Sequence, residues 1–341
     1  MLDVMDNFPG NASALHSSGH AAKNLIEEDR KSFAKLIGAK PHEIIFTSGG
    51  SESNNTVMHI FEGKPISISP IEHDSVFKSA QYYASKLNGE NPALTSVMLA
   101  NNELGTISNV REIAARSHNS GSLFHSDMTQ ALGKIPINVK ELDVDYATFS
   151  GHKIGAPVGV GVLYVKTGAP FKPLILGGHQ ENGRRAGTYN TLAIAALGTA
   201  AKYVYEHKTW EIYEKSIRPL RDELKTRILA EIPGSSINSP EDCLPNILNM
   251  SFSAAEGESI QLYLDLEGNI EVSTGSACAS GSLEPSRILM ATYGDAERAH
   301  NSIRFSLGLN TTKSDIDKVM ATLPAIIKRL QGMSTREVKN D

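Results

Sequence analysis

The feature that most constrains this chain is an alternation of short β-like runs with helical stretches over its first two-thirds. We expect strands at residues 43–46, 96–99, 122–125, 146–149 and 160–165. Alternation of this kind predicts an α/β layer built on a mostly parallel sheet. Ligand-binding residues of such sheets collect beyond the carboxyl ends of the strands. Polar clusters follow the expected strands at residues 48–51, 101–102, 127 and 150–153.

The pattern changes after Thr199. The remaining sequence predicts a charged helix at about 211–231 with a kink at Pro219, a strand at 246–252, a helix from Glu256, a strand near Ile270, a strand at 303–306 and a closing helix from Asp315. Thr312 and Asp315 have the spacing of a capping box for that last helix. We therefore expect a large domain at 1–209 and a smaller α+β domain at 210–341.

Composition excludes several classes of protein. Of the 341 residues, 40% are hydrophobic, which excludes a disordered chain, and the net charge of −5 does not favour nucleic acid as a direct partner. No apolar run approaches the roughly 20 residues that span a bilayer, and the first residues do not have the pattern of a secretion signal. We therefore expect a soluble, cytoplasmic protein without a membrane partner. The only cysteines are Cys243 and Cys278, which excludes a disulfide framework and argues against a cysteine-built zinc site.

Three stretches could carry chemistry. The turn at 48–51 contains Gly49-Gly50-Ser51 and fits a phosphate cradle at a helix start, although an ordinary strand-to-helix turn has the same composition. Asp127 and Lys153 each follow a strand, and pyridoxal phosphate needs such a lysine for a Schiff base and an acid for its pyridine nitrogen. Taken singly, each also fits a capping aspartate or a surface lysine.

Cys278 lies in a run of small residues at 273–282. Because this run offers no apolar anchors, we expect a loop on which the thiol is accessible, as suits a nucleophile. Cys243 has no such surroundings and is interpreted as incidental.

Together these residues resemble the cysteine desulfurases of the IscS/NifS type, which are pyridoxal-phosphate enzymes of the class V aminotransferase family. The resemblance covers about residues 11–331, and its most specific motifs are at 46–49, 100–103, 150–153, 177–180, 184–188, 275–278 and 302–307. It implies aminotransferase fold type I, a homodimer, and release of sulfur from L-cysteine to give L-alanine. The long loop around Cys278 resembles the group that serves iron–sulfur cluster assembly, which implies a scaffold or other sulfur-acceptor protein as partner.

The resemblance also implies a role for each matching residue. Lys153 would be the Schiff-base lysine, Asp127 would hold the pyridine nitrogen, His73 would stack on the ring and move protons, and Gln130 would bond the ring hydroxyl. The residues expected to hold the phosphate or line the cofactor site are Gly50, Ser51, Asn102, Ser150, Gly151, His152 and, from a neighbouring subunit, Thr188. Asn102 and Arg304 would grip the substrate carboxylate. Cys278 would take the sulfur as a persulfide. No resident metal is expected, although Cys278 is a candidate transient iron–sulfur ligand shared with a scaffold.

Three departures from the family pattern stand against these matches. An active-site segment of the family is missing at the N-terminus, and a strand and helix are missing near residues 88–94. Met128 stands where the family has a small alanine against the cofactor ring. The alternatives are a degenerate homologue that acts as a binding or scaffold protein, and a different amino-acid transformation on the same fold. The intact Lys153, Asp127, His73 and Cys278 favour the active desulfurase.

Overall fold

The computed structural model describes residues 1–275, 284–334 and 338, and it divides the chain into two compact units. The first unit comprises Met1–Ala100 and Ser108–Trp210. The second comprises Asn101–Ile107 and Glu211–Asp341. The short segment Asn101–Ile107 therefore folds with the second unit although the first surrounds it along the chain, and nothing in the sequence alone separates it at residue 101.

A seven-stranded sheet lies at the centre of the first unit. Its strands are β1 (Ile44–Thr47), β2 (Pro65–Ile68), β3 (Lys86–Leu87), β4 (Leu94–Ser96), β5 (Leu123–Asp127), β6 (Tyr146–Ser150) and β7 (Gly161–Val165). Their order across the sheet is β1-β7-β6-β5-β4-β2-β3. Only β7 runs antiparallel to its two neighbours, and the remaining pairs are parallel. The prediction of an α/β unit with a mostly parallel sheet is confirmed.

Helices cover both faces of this sheet. The helices of the first unit are α1 (Leu2–Asn7), α2 (Ser17–Leu36), α3 (Gly50–Ile60), α4 (Asp74–Tyr83), α5 (Val110–Asn119) and α6 (Thr191–His207). On one face, Phe33 of α2 packs edge-on against Phe149, with ring centroids 5.5 Å apart. Phe61, directly after α3, packs in the same way against Tyr146 at 5.9 Å. Tyr146 and Phe149 are three residues apart on β6 and so face opposite sides. The large side chains of β6 are therefore buried on both faces of the sheet.

The connection from β3 to β4 is unusually short. These strands run in the same direction on either side of β2, and only residues 88–93 link them. Crossovers between parallel strands usually need a dozen or more residues. Here Asn88 and Asn91 both adopt positive φ, at 52° and 50°, and the Asn88 side-chain oxygen accepts the Ile68 N–H at 2.7 Å. The region where the family pattern has a strand and a helix is thus a turn pinned by asparagine.

The second unit has a three-stranded antiparallel sheet in the order β10-β9-β8. The strands are β8 (Ser235–Ile237), β9 (Ile247–Phe252) and β10 (Ser302–Ser306). The helices that follow the first unit are α7 (Thr209–Ile212) at the boundary, then α8 (Arg218–Glu231), α9 (Gly257–Gly268), α10 (Arg287–Tyr293), α11 (Ala296–His300) and α12 (Lys313–Met333). Buried apolar side chains of the sheet, α8, α9 and α12 form one core.

The structure modifies two of the sequence predictions for this unit. The helix expected at 211–231 is interrupted by a π-helical turn at Tyr213–Ile217, and Pro219 lies in the first turn of α8, where its missing N–H costs no hydrogen bond. The strand expected near Ile270 is wrong. The Ile270 side chain packs against the core instead, and Ser273 pairs with Arg304 of β10 through an isolated bridge.

The capping box of α12 is confirmed, since the Thr312 N–H donates to Asp315 Oδ2 at 2.8 Å. Over the part of the chain that the structure describes, no helix combines the length and the apolar character needed to cross a bilayer.

Candidate functional site

The polar clusters that follow β1, β5 and β6 come together at one edge of the large sheet. β5 ends at Asp127 and β6 at Ser150, and these parallel strands pair with Asp127 opposite Thr148. Ser150 lies opposite Gly161 of β7, which in turn lies opposite Thr47 at the end of β1. Three chain segments therefore leave the sheet side by side, as the parallel arrangement predicts.

The turn after β1 forms an anion cradle at the start of α3. Gly161 allows this turn to approach the sheet, because a Cβ on Gly161 would lie 2.6 Å from the Gly49 Cα. A Cβ on Gly50 would lie 3.4 Å from Thr129 Oγ1 and 3.6 Å from the Ser150 Cβ, so these three residues are neighbours. No side chain caps α3, and among the described residues nothing hydrogen-bonds to the buried Thr129 hydroxyl. Free helix N–H groups beside an unused buried hydroxyl suit a phosphate.

A chain of hydrogen bonds fixes Asp127 and connects it to His73. Asn54 of α3 donates to Asp127 Oδ2 at 2.8 Å, and the Thr129 N–H donates to Oδ1 at 2.9 Å. Asn54 also donates to Ser75 Oγ at 2.8 Å, which lies 2.8 Å from His73 Nδ1. The Ser75 N–H donates to the same His73 Nδ1 at 3.1 Å. With Nδ1 used as an acceptor, a neutral His73 carries its proton on Nε2.

His125 contributes no positive charge to this edge near neutral pH. It is fully buried, and its ring nitrogens contact Ser96 Oγ at 2.8 Å and Thr148 Oγ1 at 3.1 Å. Burial lowers the pKa of His125 to about 4, and the charge of Asp127 opposes that shift only in part. The Asp127 carboxylate is therefore not neutralised by an imidazolium on its own strand.

The turn that carries Lys153 accepts a hydrogen bond from the buried Lys134. It is the short helical turn Gly151–Ile154, directly after β6. The Lys134 ammonium donates to the Lys153 carbonyl oxygen at 3.3 Å, and burial, with a smaller effect of the Lys153 charge, lowers the pKa of Lys134 to about 8. Ser150 Oγ lies 2.9 Å from His152 Nδ1, and burial, then the Lys153 charge, lowers the pKa of His152. His152 is thus favoured as a neutral hydrogen-bonding group.

In the second unit the structure brings Asn102 and Arg304 together. Arg304 Nη1 donates to the Asn102 carbonyl oxygen at 2.7 Å. The Asn102 side-chain oxygen is buried, and within the described residues it has no hydrogen-bond partner. A guanidinium is well suited to bind a carboxylate, and this one is held against the backbone of Asn102.

The remaining predicted site residues are not part of these contacts. Gln130 is half-buried in the turn after Asp127, Ser51 is exposed in the first turn of α3, and Thr188 is exposed. Cys278 lies outside the described residues.

Sequence reasoning missed Asn54, Ser75 and Thr129. Asn54 is 1% exposed and lies on the same side of α3 as Val57 and Met58. A polar residue on an otherwise apolar helix face was the available signal, since a buried amide needs a hydrogen-bond partner. Ser75 and Thr129 each lie two residues after a predicted site residue, but their spacing alone does not show where their side chains point.

Comparison with known proteins agrees with this geometry. The model of the family "Aminotransferase class-V" matches residues 1–90 and 80–319. A cysteine desulfurase IscS of Dictyoglomus turgidum is 41% identical over 355 residues, which cover 95% of this chain and 89% of that protein.

Solved structures show the same fold over nearly the whole chain. A NifS-like protein from Rickettsia africae superposes with a TM-score of 0.86 at 33% identity, covering 96% of this chain and 94% of that one. SspA in complex with cysteine superposes with a TM-score of 0.76 at 29% identity, covering 90% and 93%. The aminotransferase fold implied by the sequence is confirmed.

Proposed function

The chain belongs to the class-V aminotransferase family and to its cysteine desulfurases, and we propose from this that it removes sulfur from L-cysteine, releases L-alanine and retains the sulfur as a persulfide on Cys278. The observation that carries the proposal is the Asp127 carboxylate, fixed by Asn54 and the Thr129 N–H at the sheet edge to which the Lys153 turn and the anion cradle also belong. The cysteine complex of SspA, a structural relative, supports cysteine as the substrate.

These residues fit pyridoxal phosphate as the cofactor. The start of α3, with Gly50, Ser51 and the unused Thr129 hydroxyl, would hold the phosphate together with the turn at 150–152. Asp127 would hold a protonated ring nitrogen, and the Lys153 amine would hold the aldehyde carbon. When bound, the cofactor supplies a ring that withdraws electrons from the substrate.

Side chains of the protein would then transfer protons, bind the substrate carboxylate and attack the substrate sulfur. His73, oriented through Nδ1 by Ser75, presents Nε2 as the atom that gives or takes a proton. Asn102 and Arg304 would bind the substrate carboxylate. The Cys278 thiolate would attack the substrate sulfur, so that an S–S bond forms as the C–S bond breaks and its electron pair returns to the carbon skeleton.

Asp127→Asn should retain the cofactor but lose turnover by about 10²–10³-fold, the usual cost of removing one preorganised electrostatic contact. An amide cannot stabilise a protonated ring nitrogen as a carboxylate does. Steady-state alanine release and the visible absorbance of the bound cofactor measure the two effects. Turnover within a few-fold of the parent protein would refute the role of Asp127.

Met128→Ala should lower the free energy of unfolding by about 2–5 kcal/mol, the range for a buried methionine truncated to alanine. Met128 has no exposed surface, so its side chain fills packed interior. Urea unfolding of the parent and the variant gives this difference. Unchanged stability with tighter cofactor binding would show instead that Met128 crowds the ring, as its place after Asp127 suggests.

We further propose a cytoplasmic homodimer. Thr188, which is exposed, would reach the phosphate of the neighbouring subunit, and an iron–sulfur scaffold or another sulfur acceptor would take the persulfide. These points rest on the family resemblance. Sedimentation of the purified protein measures the subunit number, and a monomeric holoenzyme with full activity would overturn the role of Thr188.

The test of the proposed function is product formation. The protein loaded with pyridoxal phosphate and supplied with L-cysteine and a reductant should release alanine and sulfide in equal amounts. A folded protein that binds the cofactor and releases neither product would instead be the degenerate homologue, acting as a binding or scaffold protein.

A further inference from the structure

The two ends of the segment that carries Cys278 meet in the second unit. Gly275 and Ser286 lie on either side of residues 276–283 in the sequence. A Cβ built on Gly275 would lie only 2.7 Å from the Ser286 Cβ. Gly275 and Ser286 are therefore neighbours in space. A side chain that contacts both of them fixes both ends of the segment.

Glu103 supplies that side chain. Its side chain is 6% exposed, and the Ser286 hydroxyl donates to Glu103 Oε2 at 2.5 Å. The same oxygen lies against Gly275, so close that a side chain there would displace the carboxylate. Ser286 Oγ also accepts the Leu289 N–H at 3.2 Å and so caps α10. One buried carboxylate thus contacts both ends of the Cys278 segment and, through Ser286, the following helix.

The backbone of Glu103 is fixed independently of its side chain. Asn249 Nδ2 donates to the Glu103 carbonyl oxygen at 3.2 Å, and the Glu103 N–H donates to Asn101 Oδ1 at 2.8 Å. The preceding residue is Asn102, whose carbonyl oxygen accepts from Arg304. Truncating the Glu103 side chain therefore leaves in place the contacts that hold Asn102.

We infer that Glu103 is a positioning residue that ties the ends of the Cys278 segment to the segment carrying Asn102. Through these contacts Glu103 fixes the ends of the Cys278 segment relative to Asn102, the residue proposed to bind the substrate carboxylate. The inference deepens the proposed function and rests on it for the catalytic role of Cys278. The contact among Glu103, Gly275 and Ser286 itself does not depend on that role.

The decisive comparison is Glu103→Ala against Glu103→Gln in the full-length protein loaded with pyridoxal phosphate. The alanine variant should bind L-cysteine with an unchanged spectral response, and its persulfide formation in a single turnover should fall about 10²-fold, the effect of a misplaced reacting group. The glutamine variant should recover most of the rate, because its amide oxygen still accepts the Ser286 hydroxyl. Glu258→Ala, an exposed glutamate of the same unit, is the matched control and should behave as the parent.

Hydrogen exchange gives a readout that needs no activity. Amides of residues 284–289 should exchange faster in Glu103→Ala than in the parent, and those of the Glu103→Gln protein should not. Ser286→Ala removes the donor to Glu103 and also the cap on the Leu289 N–H. It should therefore slow persulfide formation and speed exchange at residues 284–289, and its persulfide rate decides the matter if Glu103→Ala does not fold. Gly275→Ala should do likewise, by displacing the carboxylate.

Parent-like exchange together with parent-like persulfide formation in Glu103→Ala would overturn the inference. A uniform loss of substrate binding and of sulfur transfer in the glutamine variant would also overturn it, since that pattern indicates a role other than positioning. If the parent protein forms no persulfide at all, the proposed function fails, and the exchange experiment still decides whether Glu103 holds the two ends.

Discussion

Lys153→Ala should give a folded protein that releases no measurable alanine, with turnover reduced by at least about 10²–10⁴-fold, the range for a positioned proton-transfer group. Under the proposed function, Lys153 would supply both the amine that holds the aldehyde carbon and a base at the substrate. The nearby Lys134 cannot substitute, because it is 7% exposed and its ammonium is held by the carbonyl oxygens of Leu132 and Lys153. The visible absorbance that arises when the cofactor is bound through lysine should be lost as well.

Lys140→Ala is the control for this experiment. Lys140 is exposed and lies in the same unit, so its loss should leave both absorbance and turnover unchanged. Far-ultraviolet circular dichroism checks that the Lys153→Ala protein is folded. Retention of the lysine-bound absorbance in that protein would show that a different amine holds the cofactor, and the assignment of Lys153 would be wrong.

Cys278→Ser should abolish sulfur transfer while cofactor binding and the spectral response to L-cysteine remain. A hydroxyl is a far poorer nucleophile than a thiolate near neutral pH, so the reaction should stop before the C–S bond of the substrate breaks. Stopped-flow absorbance follows the first step, and sulfide assay with a reductant follows the second. Full sulfide release by Cys278→Ser would contradict the proposed route.

The other cysteine provides the matched control. Cys243 is fully buried, Arg221 Nη1 donates to its sulfur at 2.7 Å, and burial raises the pKa of its thiol. An inaccessible thiol with a raised pKa is a poor nucleophile, so Cys243→Ser should retain sulfur transfer. If Cys243→Ser loses transfer and Cys278→Ser does not, the sulfur carrier has been assigned to the wrong cysteine.

The sequence predicted the parts of the fold that depend on local pattern. Apolar runs between turns predicted five of the seven strands of the large sheet, β1 and β4 to β7, but not β2 and β3, and the spacing of Thr312 and Asp315 predicted the start of α12. The strand near Ile270 failed because an apolar residue can be buried by packing against a core without joining a sheet. Strand 96–99 was displaced to Leu94–Ser96, although Val97 and Leu99 still donate to the backbone of β5.

Local pattern alone identified site residues only where a residue follows a strand directly, whereas His73, Asn102 and Arg304 were predicted from the family resemblance. Asp127 and the Lys153 turn were found from the local pattern, and parallel pairing explains why they share an edge. Asn54 and Ser75 act through contacts across elements, which no local pattern shows. Local pattern also does not show that Asn101–Ile107 belongs to the second unit. That assignment rests on tertiary contacts such as the one between Asn249 and Glu103.

Under the proposed function, this chain moves sulfur from L-cysteine onto Cys278. The measurement that tests it most directly is mass spectrometry of peptides from the full-length protein, loaded with pyridoxal phosphate, treated briefly with L-cysteine and trapped with an alkylating agent. The peptide containing Cys278 should carry one additional sulfur atom, the Cys243 peptide should carry none, and omission of the cofactor should abolish the addition. Extra sulfur on Cys243 alone, or none on either peptide while alanine is released, would contradict the account.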